Sequence, residues 1–420
     1  MKMIKKIIVA VCVFVSAVSL AQDNTSSPYS YYGLGETKFK GTHDTRAMGD
    51  LNIVGDSIHL NLINPASFSR LKYTTFGVGG TTNFNNLSTN SSEEKAQRTS
   101  LDYIAIGLPL GNVGVSFGLA PFSTVGYKVQ NVFQNPDGTQ RAKSFFGDGN
   151  INKVFIGGAY NINKEFSVGL DMSYVFGNVD AEAVEFVTDP SVGIGTRERN
   201  NTKTKGILFT AGLMYNKTLK NKLDIYSSFT FRPESRLIMN NARNIATILY
   251  SGTGGEIVID DEDFSFDGVE QIIPTKFSFG GGLGVKKKWL VGTELTFTQN
   301  SRLENRFEDI QSSTFENSTK ISIGGYYIPK YDSFSNYLSR VVYRAGFRYE
   351  NTGLVLNNES INDYGMNFGL GLPVGVSNIN LAFEFGKRGT TSNGLIEENY
   401  FNLSVGLSLN DIWFKKRKID

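Results

Sequence analysis

"YFNLSVGLSLN", residues 400–410, alternates without a fault. Phe401, Leu403, Val405, Leu407 and Leu409 share one side of an extended chain, and Asn402, Ser404, Gly406, Ser408 and Asn410 share the other. Period two belongs to a β-strand. A soluble β-sandwich gives the same alternation, so the second face decides. It is small and uncharged, which suits a crowded barrel interior better than a solvated sheet face. Aromatics close both ends, Tyr400 at the start and Trp413 and Phe414 just past the finish. That is the girdle of a strand crossing a membrane.

The pattern recurs in pairs along the chain. Val113, Val115, Phe117 and Leu119 alternate with Gly114, Ser116, Gly118 and Ala120. Phe166, Val168, Leu170, Met172, Tyr174 and Phe176 share a face, as do Tyr364, Met366, Phe368, Leu370 and Leu372, then Ile379, Leu381, Phe383 and Phe385. About fourteen such segments are expected, at 71–84, 99–110, 113–126, 151–162, 165–178, 205–217, 221–233, 276–287, 288–299, 319–329, 339–351, 363–373, 378–388 and 399–410. Each is long enough to cross a bilayer when tilted. An even number lets an up-and-down barrel close without an edge.

Short links at Gly111-Asn112, Asn163-Lys164, Thr218–Lys220, Lys286–Lys288 and Pro373–Asn378 alternate with long ones at 85–98, 127–150, 179–204, 234–275, 300–318, 352–362 and 389–398. The link 330–338 is the one longer exception among the short ones. Short turns inside and long loops outside are the membrane-barrel arrangement. Lys217, Lys220, Lys222, Lys286, Lys287, Lys288 and Lys415–Lys418 then fall on the periplasmic side.

Before the barrel come two further pieces. Lys2, Lys5 and Lys6 precede the apolar stretch Ile7–Val18 and the small-residue site Ser19-Leu20-Ala21. This reads as a secretory signal peptide over 1–21. Residues 22–70 carry no long alternation and are expected to hang in the periplasm or to plug the lumen as a hatch, with the transmembrane barrel over 71–420. Cys12, within the leader, is the only cysteine, so disulfides are excluded. With 42 basic against 40 acidic side chains the formal charge is +2, and nothing in it points to nucleic acid. The composition, with 45 Gly, 31 Phe and 19 Tyr, departs from that of a soluble enzyme.

Candidate chemistry is sparse. Gly114-Val115-Ser116-Phe117-Gly118 matches G-x-S-x-G, yet alternation runs straight through it where a nucleophile elbow needs a strand-to-helix turn. Phe279–Gly284 lacks the Lys and Ser/Thr of a phosphate loop and reads as close packing within a barrel. His43 and His59 are the only histidines. His59, beside Asp56 and Ser57, is a thin catalytic candidate against a plain hydrogen-bonded plug histidine. The acidic run Asp260–Asp263 does not fit an EF-hand and is expected in a solvated outer loop. No metal, cofactor or catalytic residue is assigned.

"SPYSYYGLGE" (27–36), Arg46-Ala47-Met48-Gly49, Asn64-Pro65-Ala66 and the closing "GLSLNDIWFKKRK" (406–418) together resemble the FadL-type outer-membrane proteins, in their Bacteroidota branch. That family includes long-chain fatty-acid transporters and PorV-like barrels of the type IX secretion system. The resemblance implies an N-terminal hatch carrying Asn64, Pro65 and Ala66, and hydrophobic ligands that leave sideways through a kinked wall strand. Pro121 in the third strand is either that kink or a strand end near the outer rim. Val132, Phe133, Phe145 and Phe146, expected in the second long loop, form a candidate outer ligand patch. The expected localisation is the outer membrane, in contact with its lipid. Passive uptake of hydrophobic small molecules ranks first, a non-transporting partner barrel in a secretion or assembly complex second, and a lipid hydrolase third.

Overall fold

The computed structural model describes residues 25–134, 138–187, 193–250, 255–306 and 313–413. The segment 1–21 expected to be a leader, Phe414 and Lys415–Lys418 lie outside the described residues. From Thr74 onward the chain builds a closed antiparallel ring of fourteen staves. In chain order these are β1 (Thr74–Ser88), β2 (Glu93–Leu110), β3 (Val113–Gln134), β4 (Gln140–Asn161), β5 (Phe166–Val187), β6 (Ile194–Thr218), β7 (Asp224–Arg232 and Ser235–Tyr250) and β8 (Glu256–Ile273 and Lys276–Val285). There follow β9 (Trp289–Thr298), β10 (Ser313–Phe315 and Ser318–Tyr327), β11 (Val342–Leu356), β12 (Glu359–Val374), β13 (Ser377–Arg388) and β14 (Glu397–Asp411). The last strand closes on the first along its whole length, from Glu397↔Ser88 to Asp411↔Thr74.

The alternation read in residues 400–410 sorts as expected. Asn402, Ser404, Ser408 and Asn410 are buried in the lumen, and the apolar partners face out. Phe166, Leu170, Met172, Tyr174 and Phe176 of β5 are exposed on the same outer surface, as are Phe279, Val291, Ile323, Phe347 and Phe368 further round. An apolar belt open to the surroundings is wrong for water and right for lipid. The first stave begins at Thr74, three residues beyond the expected start.

The long outer loops are the main correction. The spans 127–150, 179–204 and 234–275 are largely strand, because β3 to β8 pair with one another well past the apolar belt, as in Val129↔Phe145, Asp180↔Asn201 and Phe266↔Asn241. The span 352–362 is a hairpin, turning at Asn357-Asn358 with both φ positive (49° and 64°), the conformation a two-residue hairpin demands. The physical reason is simple. Lipid imposes the apolar alternation; backbone pairing does not need it. Above the belt the strands continue and the sequence signal stops. The run Asp260–Asp263 accordingly sits within β8, not in a loop.

Residues 25–73 lie inside the ring. They contribute a 3₁₀ turn at Pro28–Tyr31, a two-residue strand at Glu36–Thr37, the helical turn His43–Arg46 and a 3₁₀ turn at Pro65–Arg70. Leu34 packs with inward residues Val125, Ile151, Val175, Leu208, Leu237 and Ile273; Leu51 and Ile53 pack with Tyr226 and Leu290; Leu60 and Phe68 pack with Ala105, Phe155 and Ala159. The wall makes room with glycine. A Cβ at Gly169 would meet the Ala66 amide and the Pro65 carbonyl, and one at Gly212 would meet the Asn64 side chain and Pro65 Cδ. Only a residue without a side chain lets backbone approach that closely. Gly169→Val is expected to expel the Pro65 turn while leaving the ring closed. Heat-modifiable gel migration should be unchanged, and limited proteolysis should cut within residues 50–72, which the parent protects.

Candidate functional site

The inner segment is fastened by ions. Arg46 Nη1 lies 3.0 Å from Asp102 Oδ2 on β2, and Nη2 lies 3.3 Å from Glu384 Oε2 on β13. Glu384 is shared with Arg348 of β11, at 2.7 Å from Nη2, and Arg348 also reaches Asp363 of β12 at 3.2 Å. Arg388 bridges Asp363 (2.9 Å) and Glu36 (3.0 Å). Tyr400 Oη donates to Asp363 Oδ1 at 2.6 Å, and Lys320 stands 3.5 Å from Asp50. Charges buried this deeply persist only when each has partners. Strand parity places the wall members: Arg344, Arg348, Glu384 and Arg388 occupy the faces opposite Phe347, Phe383 and Phe385. Their signal in the sequence was a charge on the non-lipid face of a belt strand, which the apolar alternation does not single out.

Asn64 is a hub of local bonds. Its Oδ1 accepts from Ala66 N at 3.1 Å, and its Nδ2 donates to the carbonyls of Leu213 (3.3 Å) and Phe229 (3.4 Å). Pro65 opens the 3₁₀ turn as its first residue, where a missing N–H costs nothing. The turn thus sits against β5, β6 and β7, not simply at the entrance to β1. Arg70 at its end donates to the carbonyls of Lys164 (2.9 Å) and Glu165 (2.7 Å) in an inner link.

Both histidines are buried. His59 Nδ1 is 2.6 Å from Asp56 Oδ2, and Nε2 is 3.2 Å from Asn378 Nδ2. Burial opposes its charging, but Asp56 and Asp44 together hold the His59 pKa above its ordinary value. His43 is fully buried between Gly79, Gly406 and Tyr103, with Asp102 at 3.5 Å. Burial dominates there and lowers its pKa from 6.5 to about 4. Ser116 is buried on the lumen face of an uninterrupted β3, so its G-x-S-x-G surroundings form no elbow. Among the described residues, no group of three His, Cys, Asp or Glu side chains is placed to hold a metal ion.

Pro121 lies within β3, where the pairing to β4 shifts register between Pro121 and Ser123, and the strand runs on to Gln134. It is a bulge, not a strand end. Pairing between β2 and β3 stops at Ile104↔Leu119, just below it. Above that point the free edge of β3 takes up the inner segment instead, at Glu36↔Thr124 and Thr37↔Ser123. Val132, Phe133, Phe145 and Phe146 are not in a loop but on paired strands, β3 and β4. They do not form one patch. Phe145 packs on Tyr31 and lines a recess of about 540 Å³ with Tyr29, Tyr32 and Leu395; Phe146 lines a different cavity; Val132 is exposed on the outside.

That other cavity, of about 1270 Å³, is lined by the upper parts of β2 to β8. Glu94, Arg98, Lys128, Asp180, Arg199 and Asp263 line it together with Tyr127, Phe146 and Phe264. A third cavity of about 270 Å³ lies deeper, among Lys40, Asp50, Lys276, Glu294, Asp363 and Arg388. Among the described residues, the upper part of β8 pairs with β7 only, from Glu256↔Tyr250 to Ile273↔Ser235, while β9 ends at Thr298↔Lys276 below it and Gln271 Nε2 donates to Glu304 O at 3.3 Å. Residues 256–263 are exposed on both faces, Ile257 by 52% and Ile259 by 57%.

Arg46→Ala leaves Asp102 and Glu384 short of a partner and is expected to cost about 3–5 kcal/mol. The inner segment should loosen, raising small-solute leakage in cells while the ring stays folded. His43 gives a pH dependence of known sign. Its folded pKa is depressed, so the stability it contributes is present above pH 6.5 and lost as pH falls toward about 4. His43→Asn should remove about 2 kcal/mol of acid sensitivity between pH 6.5 and 5, read as a smaller drop in melting midpoint over that range.

The fold has solved counterparts. The Pseudomonas putida toluene transporter TodX superposes with a TM-score of 0.59 at 15% identity, over 90% of this chain and 100% of that one. The Ralstonia pickettii toluene transporter TbuX gives 0.56 at 11%, over 88% and 98%. A Pseudomonas aeruginosa FadL homologue gives 0.57 at 11%, over 89% and 98%. The architecture is therefore that of the FadL-type outer-membrane channels. No curated protein matches at the sequence level. The model of one family does, over residues 3–420: this chain belongs to the BamG family.

Proposed function

We propose that this barrel is a non-transporting partner subunit of an outer-membrane secretion or assembly complex, docking through its outer sheet. The observation behind the reading is the upper part of β8, which among the described residues pairs with β7 only and is exposed on both faces over 256–263. A long free edge is a template for another strand, and natural proteins normally cover or blunt theirs. A docking strand would gain main-chain hydrogen bonds from the edge and apolar contact from Ile257, Ile259, Phe266 and Val269. Asp260, Asp261, Glu262 and Asp263 would favour a basic partner strand. The paired charges of Arg46, Arg348 and Arg388 support the same reading, because an apolar solute passing that side of the lumen would have to displace them.

A second reading, passive uptake of hydrophobic small molecules such as long-chain fatty acids, is favoured by the wall break above Ile104↔Leu119 and by the tyrosine-lined recess beside it. It has the likeness to the toluene transporters and the FadL homologue in its favour at the level of fold. One pair of measurements separates the two. Purification in mild detergent should recover another outer-membrane protein in stoichiometric amount. Ile257→Lys with Ile259→Lys should weaken that association by at least about 100-fold, since each fully buried side chain is worth about 1.5–3 kcal/mol. If instead the protein emerges alone, and labelled fatty acid enters complemented cells faster than deleted ones, uptake is the function.

A further inference from the structure

The longest inner link, residues 328–341, joins β10 to β11. It exposes Tyr331, Phe334, Tyr337 and Leu338, and Phe334 has no cover at all, with a relative exposure of 103%. Single exposed apolar residues need no explanation, but such a cluster at one rim does.

Its position says what surrounds it. Trp289 of β9 is paired in register with Tyr327 of β10, and Tyr327 with Tyr343 of β11. The three rings share the outward parity of Val291, Ile323 and Phe347, so they form one row on the lipid-facing wall at its inner end. Such rows mark the membrane–water boundary. The link hangs from this row. Tyr343 Oη donates to Leu338 O at 3.2 Å, and Tyr337 Oη donates to Pro373 O at 3.3 Å. Those bonds hold it at the outer margin of the rim, continuous with the lipid-facing wall.

Charge completes the picture. Ile328 N donates to Lys288 O at 2.7 Å, which ties the link to the neighbouring turn Lys286–Lys288. Lys287 Nζ stands 4.1 Å from the centre of the Tyr331 ring, and Arg340 stands 5.2 Å from that of Tyr337. With Lys330, the two turns carry five cations against one acid, Asp332. Aromatic bodies with cationic heads fit a phospholipid surface with anionic headgroups.

We infer that residues 328–341 form a foot that seats Phe334 and Leu338 in the inner phospholipid leaflet while Lys286, Lys287, Lys288, Lys330 and Arg340 hold anionic headgroups. The foot anchors this sector of the barrel, independently of what the outer sheet binds. Phe334→Cys in a Cys12→Ser background places one thiol at its tip for an environment-sensitive fluorophore. Phe334 packs on nothing, so the ring should fold, as gel mobility will verify. In phosphatidylcholine vesicles the emission should shift to the blue, and further when phosphatidylglycerol is included. Lys286→Gln, Lys287→Gln and Lys288→Gln together should abolish the extra shift. Emission that stays at its water position, as for a solvated or protein-docking link, or that ignores phosphatidylglycerol, overturns the inference.

Discussion

Every backbone N–H and C=O that faces hydrocarbon must find its partner within the protein, and the rest of this structure follows from that constraint. A sheet meets it only by closing, and the closure is the ladder from Glu397↔Ser88 to Asp411↔Thr74. Fourteen staves then enclose a lumen too wide for their own inward side chains to fill, since barrel diameter grows with strand number. Residues 25–73 fill it. The largest apolar clusters are accordingly contacts between this inner segment and the wall, with Leu34, Leu51, Ile53 and Phe68 as inner partners.

The filling imposes its own demands. Backbone must approach backbone where the Pro65 turn meets β5 and β6, and Gly169 and Gly212 are the residues that permit it. Charge must be cancelled where the segment meets β2 and β11 to β14. Arg46, Arg348 and Arg388 each serve more than one carboxylate, and Asp363 and Glu384 each serve more than one arginine. Such a network adds little net stability over apolar packing, because desolvation consumes most of the attraction. What it supplies is register. An inner segment shifted by one position would strand several buried charges at once.

Above the lipid the constraint lapses, and the architecture changes with it. The ring opens into a sheet built from the tops of β3 to β8, where Glu36–Thr37 pairs with one edge at Thr124 and Ser123, and among the described residues the top of β8 pairs with β7 only. A cavity along this sheet mixes charged and aromatic side chains, and the exposed end of β8 is apolar and acidic. The inner rim has the opposite character, with aromatic rings and lysines gathered on the longest inner link. The two ends of the barrel thus face different surroundings with different chemistry.

The sequence by itself determined the ring. Alternation in stretches such as 400–410 and 166–176 exists because lipid lies on one side and a crowded lumen on the other, so strand number, direction and facing were legible without coordinates. The prominence of Asn64-Pro65-Ala66 was legible too, since proline and asparagine announce a turn through local chemistry alone. Whatever is not imposed by lipid or by local chemistry was decided by tertiary structure. The strands running on through 127–150, 179–204 and 234–275 lose their period once water bathes both faces, so they read as loops. The partnership of Arg46 with Asp102 and Glu384 joins residues 56 and 338 positions apart, and no spacing rule reaches that far. Phe145 and Phe146 are adjacent in the chain, yet a β-strand sends neighbours to opposite faces, so the fold assigned them to two different cavities.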